Sequence, residues 1–73
     1  MRLKNLFILN RPDIRKVSVE ELHTVILDFH PHGLYLSREG NAWVAVDNSD
    51  GHAWTEEFVS RRKAVRWLRR LEV

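Results

Sequence analysis

GLYLSREGNAWVAVDNSDGHAWTEEF, residues 33 to 58, contains three short runs rich in aromatic and β-branched residues, a composition typical of strands. Two tight connections separate these runs. The sequence EGN is short enough for a hairpin, and NSDG places Gly51 where a four- or five-residue loop often needs left-handed backbone. These features predict a three-stranded antiparallel sheet in an α+β domain.

One helix is predicted before this strand region in the sequence and another after it. Ser18 followed by Glu21 matches a capping box, and apolar residues recur at three- and four-residue spacing over residues 19–29. Consecutive β-branched residues within that segment favour a strand, so this alternative stays open. After the strands, Ser60 can cap an amphipathic helix that runs to about Leu71. We expect both helices to pack on one face of the sheet.

Length and composition narrow the class of protein to which this chain can belong. Seventy-three residues form a single small domain, 1–73, with a thin core, which a homodimer would enlarge. With no cysteine there is no disulfide and no thiolate zinc site, which fits a reducing cytoplasm. The apolar run LFIL at residues 6–9 is too short to span a membrane, and we interpret residues 3–9 as a strand, with one or two helical turns as the alternative. We therefore expect a cytoplasmic protein without membrane contact.

The net charge of +2 hides a segregated pattern. Residues 1–18 hold five basic residues against one acid, net +4, and residues 61–73 hold six against one, net +5. Residues 19–60 hold eight acids against one basic residue, net −7. Charge blocks of this kind are informative about partners, although they can also neutralise each other inside the fold.

The predicted C-terminal helix has an apolar arc backed by an unbroken basic arc. Like charges at four-residue spacing cost about 0.2–0.5 kcal/mol per pair, so something outside the helix should compensate them. The candidates are internal acids, a nucleic-acid backbone or an acidic protein surface. Arginine suits bidentate contact with phosphate or carboxylate, and we place nucleic acid ahead of protein. The predicted anion-binding residues are Arg62, Lys63, Arg66, Arg69 and Arg70.

The order of the predicted elements resembles known nucleic-acid-binding folds. GNAWVAVDNSDGHAWTEEF leading into SRRKAVRWL is similar to the three-strand-plus-helix layout of integrase-type and plant ethylene-response-factor DNA-binding domains. With the helix at 19–29 in front, the order also resembles double-stranded RNA-binding domains, whose final helix opens with a serine and a basic cluster, as Ser60 to Lys63 do here. Both resemblances imply nucleic-acid binding. The chain also looks like small accessory proteins of phages and mobile elements, some of which inhibit host defences by binding a protein.

Aromatic and acidic residues of the strand region supply further candidates. Tyr35 and Trp43 would stack bases or anchor a partner if they lie on an open sheet face, and otherwise they complete the core or a dimer interface. The alternative function, a protein-binding regulator or inhibitor, would act through the open sheet face or the acidic centre. The acidic interface candidates are Asp47, Asp50, Glu56 and Glu57.

Nothing in the sequence is typical of a catalytic or cofactor site. His30 and His32 provide two imidazoles, but a zinc site needs three or four converging ligands, so no metal is predicted. Glycine-rich phosphate loops are absent, and each candidate nucleophilic serine has a capping or turn role. We expect a non-catalytic binding protein without a cofactor.

Overall fold

A four-stranded mixed sheet organises residues 13–69, the part of the chain that the computed structural model describes. The strands lie in chain order: β1 (Ile14–Lys16), β2 (Leu34–Glu39), β3 (Ala42–Asp47) and β4 (Trp54–Phe58). Two helices accompany them within the described residues, α1 (Val19–Asp28) between β1 and β2 and α2 (Arg61–Arg69) after β4. The predictions for residues 3–9, for Arg70 and for a helix end at Leu71 lie outside the described residues.

The predicted α+β class is confirmed, but the three-stranded sheet was incomplete. β2, β3 and β4 form the expected antiparallel meander, and β1 adds a fourth strand parallel to β2. In this parallel pair Ile14 lies opposite Leu34, and the Val17 N–H donates to the Leu36 carbonyl at 2.9 Å. Parallel neighbours need a crossover connection, and α1 provides it.

The predicted caps start both helices. Ser18 Oγ accepts a hydrogen bond from the Glu21 N–H at 3.1 Å, and Ser60 Oγ accepts one from the Lys63 N–H at 3.2 Å. These bonds satisfy donors that have no partner inside the helix. α1 ends at Phe29, whose φ of 59° is left-handed and whose N–H donates to the Val25 carbonyl at 2.8 Å. The helical interpretation of residues 19–29 is therefore correct to within one residue.

Both predicted hairpins are present. Gly40, with a φ of 65°, opens the two-residue turn between β2 and β3, and Gly51, with a φ of 85°, lies in the loop between β3 and β4. Residues with a side chain adopt these backbone angles only rarely, so glycine is favoured at both positions.

The two helices cover opposite faces of the sheet, so the expectation that both pack on one face was wrong. The α1 side of the core contains Leu22, Val25, Tyr35, Val44, Val46 and Ala53. The α2 side contains Leu34, Leu36, Ala45, Ala64 and Leu68. Four consecutive residues of β2, from Leu34 to Ser37, are buried, which requires cover on both faces.

Asn48 joins the loops at one end of the sheet and is completely buried. Its side-chain Nδ2 donates to the Pro31 carbonyl at 2.9 Å, and its Oδ1 accepts from the Ala53 N–H at 3.0 Å. Its backbone exchanges two further hydrogen bonds with Gly33, at 2.8 and 3.2 Å. The Tyr35 hydroxyl also donates to the Pro31 carbonyl, at 2.9 Å. This network holds the α1–β2 and β3–β4 loops together.

Candidate functional site

α2 presents a dense basic surface on the outside of the molecule. Ala64 and Leu68 are completely buried, which directs the opposite side of the helix to solvent. All basic residues of the helix are exposed, and no acid lies among them: Arg61, Arg62, Lys63, Arg66 and Arg69. Four of the five predicted anion-binding residues therefore lie together on one exposed helix surface, and the fifth, Arg70, is outside the described residues.

These cations are not paired with carboxylates of the described chain. Within residues 13–69, no carboxylate oxygen lies within 4.0 Å of a charged nitrogen of α2. The contacts of this kind found there involve histidines, which are charged only when protonated: His23 Nε2 lies 3.7 Å from Glu39 Oε2, and His52 Nδ1 lies 3.2 Å from Asp50 Oδ2. No direct ion pair from these residues thus relieves the like-charge repulsion along α2.

Two further cations, which the sequence analysis did not select, project from the sheet face that α2 covers. Lys16 lies on β1 with its Nζ 5.8 Å from the centre of the Trp43 ring, and Arg38 lies on β2 with its Cζ 5.7 Å from the same centre. Strand pairing places Arg38 opposite Trp43, on the same face as Leu36 and Ala45. The β1–β2 pairing places Lys16 opposite Leu36 and so brings it to this face.

Charge is separated between the two faces of the sheet. On the α2 side, the helix and strands carry seven basic residues against Asp47 and Glu56, net +5. On the α1 side they carry only Arg15 against five acids, net −4: Glu20, Glu21, Asp28, Glu39 and Glu57. Among residues 13–69, positive charge is therefore concentrated on the α2 side of the sheet and negative charge on the α1 side.

The predicted stacking residues are less accessible than an open sheet face would make them. Tyr35 is 1% exposed because α1 covers its side of the sheet, so it cannot stack a base. Trp43 is partly buried against the α2 core, and the cations of Lys16 and Arg38 lie over its ring. Trp43 therefore belongs to the basic surface as a support for its cations.

The predicted acidic interface is not one surface. Asp47 is 3% exposed and accepts hydrogen bonds from the Ser49 N–H at 3.1 Å and the Ser49 hydroxyl at 2.7 Å. Glu56 and Glu57 are exposed on β4 but point to opposite faces, because they pair with Ala45 and Val44 respectively. Asp50 is exposed on the β3–β4 loop, where it contacts His52 and Trp54.

Asp50 organises an exposed aromatic pair. Its Oδ1 accepts from the His52 N–H at 3.1 Å, and its Oδ2 lies 3.2 Å from His52 Nδ1 and 3.4 Å from the Trp54 indole nitrogen. The His52 and Trp54 rings stack at 5.5 Å, and Trp54 is 54% exposed. Partial desolvation opposes the ionised form, but the hydrogen bonds from His52 and Trp54 outweigh it and lower the pKa of Asp50.

Comparison with known proteins identifies no relative of this chain. No protein-family model, curated protein or solved structure matches this chain. Neither described helix is long and apolar enough to cross a lipid bilayer. Across residues 13–69, no group of three or more His, Cys, Asp or Glu side chains is placed to hold a metal ion. The basic surface of α2 is therefore the feature of the described residues that points to a function.

Proposed function

We propose that this chain is a non-catalytic nucleic-acid-binding domain and that α2 contacts the phosphate backbone. The observation that carries the proposal is the row of exposed α2 cations without a carboxylate partner among residues 13–69. A phosphate backbone supplies closely spaced negative charge, which relieves the repulsion along the helix. The interface residues are Arg62, Lys63, Arg66 and Arg69, with Arg70 as the next residue in the sequence.

The chemistry of the basic surface favours phosphate as the ligand. Four of the five α2 cations are arginines, whose planar guanidinium groups form paired hydrogen bonds with phosphate oxygens. Lys16 and Arg38 extend the positive potential across the sheet face beside the helix. The acidic α1 side would repel the same polyanion, so binding is expected on one side of the molecule.

The test is a salt titration of binding to short nucleic acids. Fluorescence anisotropy would be recorded with a labelled duplex DNA, a duplex RNA and a single strand between about 50 and 200 mM salt. For about four phosphate contacts on duplex DNA, log Kobs should fall against log salt with a slope of about −3.6. Absence of binding to all three probes at the lowest salt would overturn the proposal.

A matched pair of variants locates the interface. The triple variant Arg62→Gln, Arg66→Gln, Arg69→Gln should reduce the magnitude of the duplex slope by about 2.7, because three phosphate contacts are removed. Arg15→Gln removes the same chemical group from the α1 side and should leave the slope unchanged. Equal slopes for the two variants would place the interface elsewhere.

A second candidate function, a protein-binding regulator, is favoured by the exposed Trp54. Exposed tryptophans often anchor protein interfaces, and this one is held by the stack on His52 and by the contact with Asp50. A partner retained from lysate after nuclease digestion, and lost on Trp54→Ala, would support this function. Loss of every partner on nuclease digestion would count against it.

A further inference from the structure

An open groove lies at the edge of the sheet, between the end of β4 and α2. Its volume is about 320 Å³, and it is lined by Phe58, Lys63, Arg66 and Trp67. The Phe58 and Trp67 rings form its apolar wall, with their centres 5.9 Å apart and their planes at 50°. Lys63 and Arg66 are exposed at its rim. Aromatic surface and positive charge therefore meet in one concave site.

The local structure explains how these four side chains come together. Phe58 is the last residue of β4 and points to the α2 side, because it pairs with Trp43. Trp67 follows Lys63 by four residues in α2, so both lie on the flank of the helix that faces Phe58. Both rings are only partly buried, which leaves aromatic surface in the groove. Arg66 is the neighbour of Trp67 towards the outer basic surface.

We propose that this groove binds an unpaired nucleotide, with the base against the Phe58 and Trp67 rings and the adjacent phosphates on Lys63 and Arg66. The inference rests on the proposed function and specifies its ligand as single-stranded nucleic acid. Every base offers a flat π surface to an aromatic wall, and single-strand-binding proteins combine such walls with positive grooves. In a duplex both faces of the base are covered by its neighbours, so a paired base cannot enter.

The charges and the volume fit this occupant better than simpler ligands. A free phosphate would contact the two cations but not the aromatic wall. An uncharged apolar ligand would contact the wall but not Lys63 and Arg66. The volume of about 320 Å³ lies at the small end of ligand pockets, which typically measure about 300–1,000 Å³, and it suits a single nucleotide.

The experiment separates bases from phosphates. The affinity of the full chain would be measured by anisotropy for a labelled oligothymidylate and for an abasic strand of the same length, which keeps the phosphates but lacks the bases. The base-bearing strand should bind about 5- to 150-fold more tightly, the range expected when a base stacks on an aromatic side chain. Equal affinity for the two strands would overturn the groove assignment and leave phosphate binding by α2 intact. Failure of both strands and of the duplex to bind would remove the proposed function itself.

Variants at Phe58 test whether the ring is responsible. Phe58→Leu keeps an apolar side chain but removes the ring, and it should bring the affinities for the two strands close together. Phe58→Tyr keeps the ring and should preserve the difference. Circular dichroism confirms that each variant is folded, and if Phe58→Leu does not fold, the comparison of strands with the unaltered protein still decides. A preserved difference in folded Phe58→Leu would contradict stacking in this groove.

Discussion

Replacing Arg62 by glutamine should make the protein more stable and a weaker ligand for nucleic acid. Arg62 lies in the first turn of α2, where the helix dipole disfavours a positive charge by about 0.3–1 kcal/mol at low salt. It also lies four residues before Arg66, and the repulsion between these two like charges costs about 0.2–0.5 kcal/mol. Glutamine and arginine have similar helix propensities, so these two terms dominate. The expected gain is about 0.5–1.5 kcal/mol.

Thermal unfolding followed by circular dichroism measures this gain. For a domain of this size, 1 kcal/mol corresponds to about 4–8 °C in Tm. The increase should be present at about 20 mM salt and largely lost at about 1 M, where the Debye length is only about 3 Å. On duplex DNA the same substitution should reduce the magnitude of the salt slope by about 0.9.

The matched control is Arg15→Gln on the α1 side of the sheet. Arg15 lies over the Tyr35 ring, with its Cζ 5.5 Å from the ring centre, so its removal should leave Tm unchanged or slightly lower it. If Arg62→Gln shows no gain in Tm at low salt, the charge of Arg62 is already neutralised within the protein. That result would refute the idea of an uncompensated helix surface.

Three further predictions concern the scaffold. Asn48→Ala should lower the free energy of unfolding by about 2–4 kcal/mol in urea denaturation, because the buried Ala53 N–H loses its acceptor, whereas Asn41→Ala in the exposed hairpin should change it by less than about 0.5 kcal/mol. Because the folded pKa of Asp50 is lowered, its contribution to stability is present above the ordinary aspartate pKa and is lost as the pH falls through the lower folded value. Tm measured from pH 2 to 6 should therefore fall less steeply towards acid in Asp50→Asn than in the unaltered protein, and identical profiles would contradict the shift. Gly40→Ala should cost about 1–2 kcal/mol through its φ of 65° alone, since no atom lies within 4 Å of the added methyl group, and an unchanged Tm would show that the turn relaxes.

The parts of the fold predicted correctly depend on local chemistry. Ser18 and Ser60 cap helices through bonds to residues three positions later, and Gly40 and Gly51 adopt backbone angles that few other residues tolerate. Such signals lie within four or five residues of the chain. They predict where an element begins or turns, but not which face of a sheet it will cover.

The parts that were missed depend on distant pairing. β1 has only three residues, and its place in the sheet depends on pairing with Leu34 to Leu36, about twenty residues later. A signal for cover on both faces was present in β2, where Leu34, Tyr35 and Leu36 are apolar in succession instead of alternating with polar residues. With both faces recognised as buried, the helices would have been placed on opposite sides and Tyr35 in the core.

The candidate site also has a part that could be predicted from the sequence and a part that could not. The basic surface of α2 could be predicted from helical periodicity, because all its members belong to one helix. The groove could not, because Phe58 and Trp67 belong to different elements and meet only after α2 folds back over β4. Lys16 and Arg38 reach Trp43 from two other strands, so their role also depends on the arrangement of the sheet.

The opposed charges of the two helical layers have a consequence for stoichiometry. When a polyanion is docked on α2, the far side of the same molecule still exposes the carboxylates of Glu20, Glu21 and Asp28. These carboxylates would repel a second strand approaching that side, so the protein would bind along individual strands without cross-linking them. Mixtures with long nucleic acids should stay clear, without condensing into bundles or precipitating.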